Sequence, residues 1–439
     1  MGIAMALGLA AALVPGGRGA PPSGPGAVAA WVVTSLREGR YAALTEAFDA
    51  RLRRELPAAR LEAAWTGLVA TMGELERVGT PRSVGSGMLE VVEVPCRFAR
   101  GAVTVRVAID REGRVAGLFF VPGRVERREP GRPPGGVVEH PVNIGEAAWR
   151  LPGTLTVPAR EGRFPGVVLL AGSGPLDRDG TVGPNRPLRD LAWGLARRGI
   201  ASLRFDKRTR VHPQRCAELP RFTLDEEYVT DARAALRALA ARPEVDPDRL
   251  FVVGHSLGGA VAPRVAEAGG VAGIVLLAAP ARPLDAVLAD QVRRLAALDG
   301  TVSDEERERI AEVDAAVARI RDPGLRPGDT VTVLGASTPG AYWLDARSYD
   351  PVAAASRLGI PVLVVVAGAD LRVGPEDVRG WGRLEGHPGV TVRRYPGLNH
   401  LLIRAGKVSS AEAILRPGVV DPKVIEDIAR WIAGGGRFR

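Results

Sequence analysis

The sequence predicts an α/β fold, a mainly parallel and doubly wound sheet with a helical insertion, preceded by a small α+β unit. Two observations carry this expectation. From residue 138 onward, short and continuously apolar runs alternate with helical patterns, which is how strands buried on both faces and their crossover helices read. Ahead of them, helical patterns come first and strand patterns follow. The two parts are separated by 124–137, a stretch of Pro, Gly and charge without periodicity that reads as a linker.

Taken in order, the chain opens with a twelve-residue apolar run, Ile3 to Val14. It is too short to span a bilayer and is followed by Pro15, Gly16, Gly17 and a small-residue stretch to Ala20. Residues 1–22 are therefore expected to be a signal peptide, although no basic residue precedes the run, and the protein is expected to be secreted or extracytoplasmic. Over 27–123, apolar residues recur at three-to-four spacing in Ala27–Leu36, Tyr41–Phe48 and Leu61–Met72. Strand patterns follow at Leu89–Phe98, Ala102–Ile109 and Val115–Val121.

Residues 138–439 form the second domain. Its expected strands are 166–170, 200–203, 250–253, 272–277, 361–366 and 390–393, and its expected helices are 188–198, 224–241, 257–268 and 422–433. Between the runs at 277 and 361 lies an insertion, about 278–360, charged and helical around Asp304 to Arg321. An insertion after a strand's carboxyl end is expected to lie over the site as a lid.

Composition narrows the possibilities. A chain of 439 residues that is 46% hydrophobic and 25% charged fits neither a disordered chain nor a polytopic membrane protein. Two cysteines make no disulfide scaffold, and no Cys/His cluster has zinc spacing. Cys96 and Cys216 fall in different domains and are expected as free buried thiols. The net charge of +9 invites a nucleic-acid partner, but its distribution argues against one. Only three of the basic residues are lysines; the arginines are scattered along the chain and interleaved with acids. No nucleic-acid partner, membrane span, cofactor or metal is expected.

One segment carries a chemical signature. Gly254-His255-Ser256-Leu257-Gly258 follows the strand 250–253 and opens a helix. In a G-x-S-x-G turn of this kind the serine hydroxyl stands clear while small neighbours let strand and helix approach. His255 is expected to be a turn residue pointing away from the serine's partner. A serine hydroxyl needs a base, itself held by an acid. Among five histidines, His400 lies in the loop after the strand 390–393, where an imidazole can reach across the sheet's carboxyl edge; it is the expected base. In the chain order Ser, Asp, His, the acid is expected at Asp370, at the end of the strand 361–366, in preference to Asp377. The oxyanion donors are expected to be the N–H groups of Leu257 and Ser173, the latter in Ala171-Gly172-Ser173-Gly174-Pro175. Asp177-Arg178-Asp179-Gly180 lacks the later ligands of a calcium loop and reads as an ion-paired turn, and Asp206-Lys207-Arg208 as a structural ion-pair cluster near the site.

The ordered set Gly-Ser-Gly-Pro-Leu-Asp-Arg-Asp (172–179), Arg-Phe-Asp-Lys-Arg (204–208), Gly-His-Ser-Leu-Gly-Gly (254–259), Tyr-Trp (342–343) and Gly-Leu-Asn-His (397–400) resembles the bacterial α/β-hydrolases of the esterase D and serine aminopeptidase S33-like group. Residues 27–123 resemble DUF3887, a small domain often fused ahead of them and similar to cystatin-like or NTF2-like folds. The resemblance implies a carboxylesterase acting on short acyl esters without a cofactor, with Ser256, Asp370 and His400 as triad. Ala367 stands where the group's acid loop usually has Gly. An S33-type peptidase is the alternative, with Glu305, Glu306, Glu308 and Glu312 available to hold a substrate amine. A non-catalytic, envelope-binding protein is a further one. The N-terminal domain is expected to serve in dimerisation or in shaping the substrate site.

Overall fold

Successive side chains of the second domain's strands enter two different cores. Val168 and Leu170 pack in one and Val167 and Leu169 in the other; Leu250 and Val252 part from Phe251 and Val253 in the same way. A strand buried on both faces has no polar side to show, so it reads as an unbroken apolar run. These positions come from a computed structural model, which describes residues 22–85, 89–98, 101–122, 133–298, 300–405 and 414–438. The expected leader, apart from Pro22, and the expected linker up to residue 132 lie outside the described residues.

The chain divides into two units, 1–130 and 131–439. The first begins with helices α1 (Pro25–Arg37), α2 (Tyr41–Glu46), α3 (Ala50–Glu55) and α4 (Ala58–Met72). Strands β1 (Leu75–Val78), β2 (Arg82–Gly85), β3 (Glu90–Phe98), β4 (Gly101–Ile109) and β5 (Val115–Pro122) follow. They make an antiparallel sheet in the order β1-β3-β4-β5, with β2 also paired to β3. Val32, Leu36, Leu44, Trp65, Phe98 and Val105 belong to the core between helices and sheet. The sequence pattern misses α3, β1 and β2, whose four to six residues are too few to show a period. The start of α3 is instead fixed by Asp49, whose carboxylate accepts the Leu52 N–H at 2.6 Å. Cys96 is buried in this unit and Cys216 in the other, both as free thiols.

In the second unit, β6 (Val137–Ile144) and β7 (Leu151–Pro158) lead into β8 (Phe164–Leu170), α5 (Pro187–Ala196) and β9 (Ala201–Phe205). Short helices α6 (Arg208–Val211) and α7 (Pro213–Ala217) and a π-helical turn, Asp225–Val229, precede α8 (Thr230–Ala240), β10 (Val245–His255), α9 (Leu257–Glu267) and β11 (Gly273–Leu277). The insertion consists of α10 (Leu284–Ala296), α11 (Asp304–Arg321), the hairpin β12 (Thr330–Val333) and β13 (Ala336–Pro339), α12 (Gly340–Ser348) and α13 (Pro351–Ser356). Then come β14 (Val362–Ala367), α14 (Pro375–Gly382), β15 (Val390–Tyr395) and α15 (Pro422–Ala433).

The eight strands run in the order β15-β14-β11-β10-β8-β9-β7-β6. The first six are mutually parallel, and β7 and β6 add an antiparallel edge. Helices α5 and α15 cover one face; α8 and α9 cover the other. This is the expected doubly wound class, with an antiparallel pair at one side that the sequence hides behind Pro141, Pro152 and Gly153. Within the insertion, α11 spans the segment expected to be helical and starts at a Ser303/Glu306 capping box. Val292, Val313, Val317 and Tyr342 of the insertion share a core with Leu257 and Val261, so it rests on the first turns of α9. Among the described residues, no helix is long and apolar enough to cross a membrane.

Trp431 of α15 is fully buried beside Phe251, and its indole N–H has no acceptor. Trp431→Ala should therefore cost about 3 to 5 kcal/mol in denaturant unfolding, whereas Trp431→Phe, which removes the orphaned donor with little volume, should cost less than about 2 kcal/mol.

Candidate active site

The junction of β10 and α9 leaves no space for side chains. A Cβ on Gly254 would lie 2.2 Å from the Gly258 carbonyl oxygen, and one on Gly258 would lie 2.4 Å from that of Ala171. Between them Ser256 adopts φ 54° and ψ −125°, a backbone conformation costly for any residue with a Cβ. The neighbouring strand holds the turn in place, since the Ser256 N–H donates to the Leu277 carbonyl at 2.8 Å. The Ser256 hydroxyl then meets His400 Nε2 at 3.0 Å.

His400 is carried by the loop after β15, and that loop is folded around Asn399. The Asn399 side-chain oxygen accepts the N–H groups of Leu401 and Ile403, at 2.9 and 3.1 Å. On its other nitrogen, Nδ1, His400 meets Asp370 Oδ2 at 2.8 Å. Asp370 follows β14 and is almost fully buried; its second oxygen accepts the N–H groups of Arg372 and Val373, at 2.7 and 3.0 Å. Burial by itself would raise this carboxyl, but the neighbouring His400 and the two backbone donors outweigh it and hold the acid below its usual range. An ionised carboxylate only accepts, so Nδ1 carries the imidazole proton and Nε2 is left to accept from the serine.

The loops of acid and base are joined by backbone. Gly368 N–H donates to Tyr395 and Ala369 N–H to Leu398, each at 2.9 Å. A Cβ on Gly368 would lie 2.6 Å from Pro396 Cα, so Gly368 is the glycine this close approach requires, and Ala367 next to it is tolerated. Asp377 makes no hydrogen bond to His400: it sits in α14, fully buried, accepting from Arg282 and from the Ala281 N–H.

Leu257 follows the serine directly, and Ser173 follows Gly172, which packs against it. Leu257 begins α9, where the N–H groups of the first turn point outward and the helix dipole favours negative charge. Gly172 packs against Ser256; a Cβ there would lie 3.1 Å from Ser256 Cβ. Among the described residues, neither the Ser173 nor the Leu257 N–H donates to a protein acceptor. The Gly172 carbonyl, in contrast, receives both Lys207 Nζ at 3.0 Å and the Tyr228 hydroxyl at 2.8 Å.

Arginine–carboxylate pairs surround this floor. Arg178 grips Asp206 with two nitrogens, Arg204 joins Asp179 and Glu139, and Arg208 is bidentate to Asp231. Asp177 accepts from the Thr181 backbone and hydroxyl, so the 177–180 string is a turn. Among the described residues, no group of His, Cys, Asp and Glu could hold a metal ion.

A model of the family described as "Serine aminopeptidase, S33" matches residues 186–405, and one described as "Protein of unknown function (DUF3887)" matches residues 29–118. The chain is 34% identical to Esterase EstD of Thermotoga maritima over 385 residues, which covers 87% of this chain and 89% of that protein. The chain belongs to the serine aminopeptidase S33 family of α/β-hydrolases. Solved structures similar to it include Est1E from Butyrivibrio proteoclasticus, at 17% identity, TM-score 0.43 and coverage of 67% of this chain and 98% of that one. The Pyrobaculum calidifontis esterase is another, at 17% identity, TM-score 0.43, and coverage of 68% and 85%.

In this α/β-hydrolase one expectation needs correcting. His255 does not point away from the serine's partner: its Nε2 lies 2.7 Å from the His400 carbonyl oxygen, and the two rings are 4.9 Å apart. A carbonyl only accepts, so His255 donates and props the backbone of the His400 loop. The motif spacing says nothing of this contact, because the loop it touches lies about 145 residues away. Glu227 and Tyr228 also escaped the sequence reading, since they fall within an ordinary amphipathic helical pattern.

Burial, with His400 alongside, lowers His255 to about 4. Its folded value lies below the unfolded one, so the unfolded chain binds the extra proton and stability falls as pH drops below about 6.5. Between pH 7 and pH 4.5 the wild type should lose about 2 kcal/mol more unfolding free energy than His255→Gln does, measured by urea titration at both pH values.

Proposed function

We propose that this α/β-hydrolase is a carboxylic ester hydrolase that cleaves short-chain acyl esters through an acyl-enzyme on Ser256. The observation that carries the reading is the continuous relay of Ser256 Oγ, His400 and Asp370, at 3.0 and 2.8 Å. The 34% identity to an esterase over most of the chain supports the ester class.

In the first half-reaction Ser256 Oγ attacks the ester carbonyl while its proton passes to His400 Nε2. The imidazolium so formed is stabilised by Asp370, and the negative oxygen of the tetrahedral intermediate lies between the N–H groups of Ser173 and Leu257. Collapse breaks the bond to the alkoxy group, which leaves as the alcohol with the proton from His400. A water then gives its proton to the same nitrogen, attacks the acyl carbonyl and frees the acid, returning the proton to Ser256.

The peptidase reading needs carboxylates directed at a substrate amine. Glu306 is engaged in the helix cap with Ser303, and Glu305, Glu308 and Glu312 lie on the exposed side of α11. The ester reading is therefore the one adopted.

Wild-type protein should react with a fluorophosphonate probe and hydrolyse p-nitrophenyl acetate faster than aminoacyl anilides. Ser256→Ala should lose the label and about 10⁴-fold or more in kcat. An unlabelled wild type, or an active Ser256→Ala, refutes the mechanism; preference for the anilides refutes the ester class.

A further inference from the structure

Behind the oxyanion loop lies a buried polar network that the hydrolytic cycle does not itself use. Lys207 follows β9, and its three ammonium protons are all engaged: with the Gly172 carbonyl at 3.0 Å, Glu227 Oε1 at 2.6 Å and the Tyr228 hydroxyl at 2.7 Å. The Tyr228 hydroxyl passes its own proton to the same Gly172 oxygen at 2.8 Å. The second oxygen of Glu227 accepts from the Tyr342 hydroxyl at 2.7 Å. All four side chains are buried.

Glu227 and Tyr228 lie in the π-helical turn 225–229, and Tyr342 lies in α12 of the insertion. A π turn in a helix is uncommon and is often kept where a site needs its side chains displaced from the regular register. Burial pulls the Lys207 ammonium below its usual value, and Glu227 pulls it back. Burial, with Glu227 alongside, pushes the phenols of Tyr228 and Tyr342 well above theirs, so both stay protonated donors.

What such a network does follows from the geometry of one peptide. In a trans peptide the C=O of residue 172 and the N–H of residue 173 belong to one plane and point in opposite directions. Both lone pairs of the Gly172 oxygen are taken, by a cation and by a hydroxyl. The peptide can then rotate only by breaking two buried hydrogen bonds, so the Ser173 N–H is held on the side opposite Lys207 and Tyr228, in the loop whose Gly172 packs against Ser256. Donors on a carbonyl also polarise the peptide and strengthen its N–H as a donor.

We propose that Lys207 and Tyr228 are positioning residues that set the direction and donor strength of the Ser173 N–H, and that the Glu227–Tyr342 contact makes this setting depend on how the insertion is seated. The proposal rests on the serine-hydrolase reading above and adds to it a mechanical link from insertion to oxyanion site. A substrate that shifts α12 alters transition-state stabilisation as well as fit.

The test uses full-length protein with active sites counted by fluorophosphonate. Tyr228→Phe should lower kcat per labelled site about tenfold with KM changed less than twofold, because the lost contact acts on the oxyanion rather than on the bound ester. A trifluoromethyl ketone, whose adduct with Ser256 carries the oxyanion, should lose the same factor in affinity. Tyr342→Phe should shift both readouts the same way by about threefold, and the neutral pair Lys207→Met/Glu227→Gln by about a hundredfold.

Unchanged kcat and ketone affinity per labelled site in Tyr228→Phe would overturn the proposal, as would a fall in melting temperature with kcat per site intact. A wild type that takes no label is a different failure, that of the serine mechanism itself.

Discussion

Everything in the site depends on how closely β10 and α9 approach each other. Inside the edge strand β15, the parallel strands β14, β11, β8 and β9 and the inner part of β10 are buried on both faces, so the reactive groups stand past their carboxyl ends, and the β10–α9 turn decides where the first of them stands. With Gly254 against Gly258 and Gly258 against Ala171, the backbone itself is the packing surface. Ser256 stands between them at a positive φ of 54°. The turn, the loop after β8 and the start of α9 thus form one contact, in which a single added methyl group would have to displace all three.

The other loops are coupled to that turn through the backbone. Ser256 N–H binds Leu277, Ala278 N–H binds Val365, and the residues after β14 bind Tyr395 and Leu398. Each bond crosses from one strand end to the next, so serine, acid and base are fixed in relation to one another by the register of β10, β11, β14 and β15. His255 adds a side-chain brace across the same gap, to the carbonyl of His400.

How much of this was legible in the sequence depends on the range of the interaction. The strands at 166, 250, 272 and 361, the helix at 304 and the turn around Ser256 are local patterns, and each is written in a few consecutive residues. The antiparallel strands β6 and β7 are interrupted by proline and glycine and alternate with polar residues, so they lack the apolar run that marks the centre of the sheet. His255 looked like a turn residue because its partner comes from a loop far along the chain. Lys207 and Arg208 could be recognised as ion-pairing residues near the site, but Glu227 and Tyr228, which complete the network, are indistinguishable in sequence from the polar side of a helix. Only the π turn singles them out, and a π turn has no local signature.

Apart from Lys207–Glu227, the salt bridges around the floor of the site share one asymmetry. In the pairs Arg178–Asp206, Arg204–Asp179, Arg208–Asp231 and Arg264–Asp345, the cation is a guanidinium, which keeps its proton throughout the range in which proteins are handled. Only the acidic partners can be neutralised. The arginine part of this frame is therefore vulnerable in one direction: alkali leaves it charged and paired, while acid, by discharging the carboxylates, strands the buried Arg204 and Arg208 without counterions.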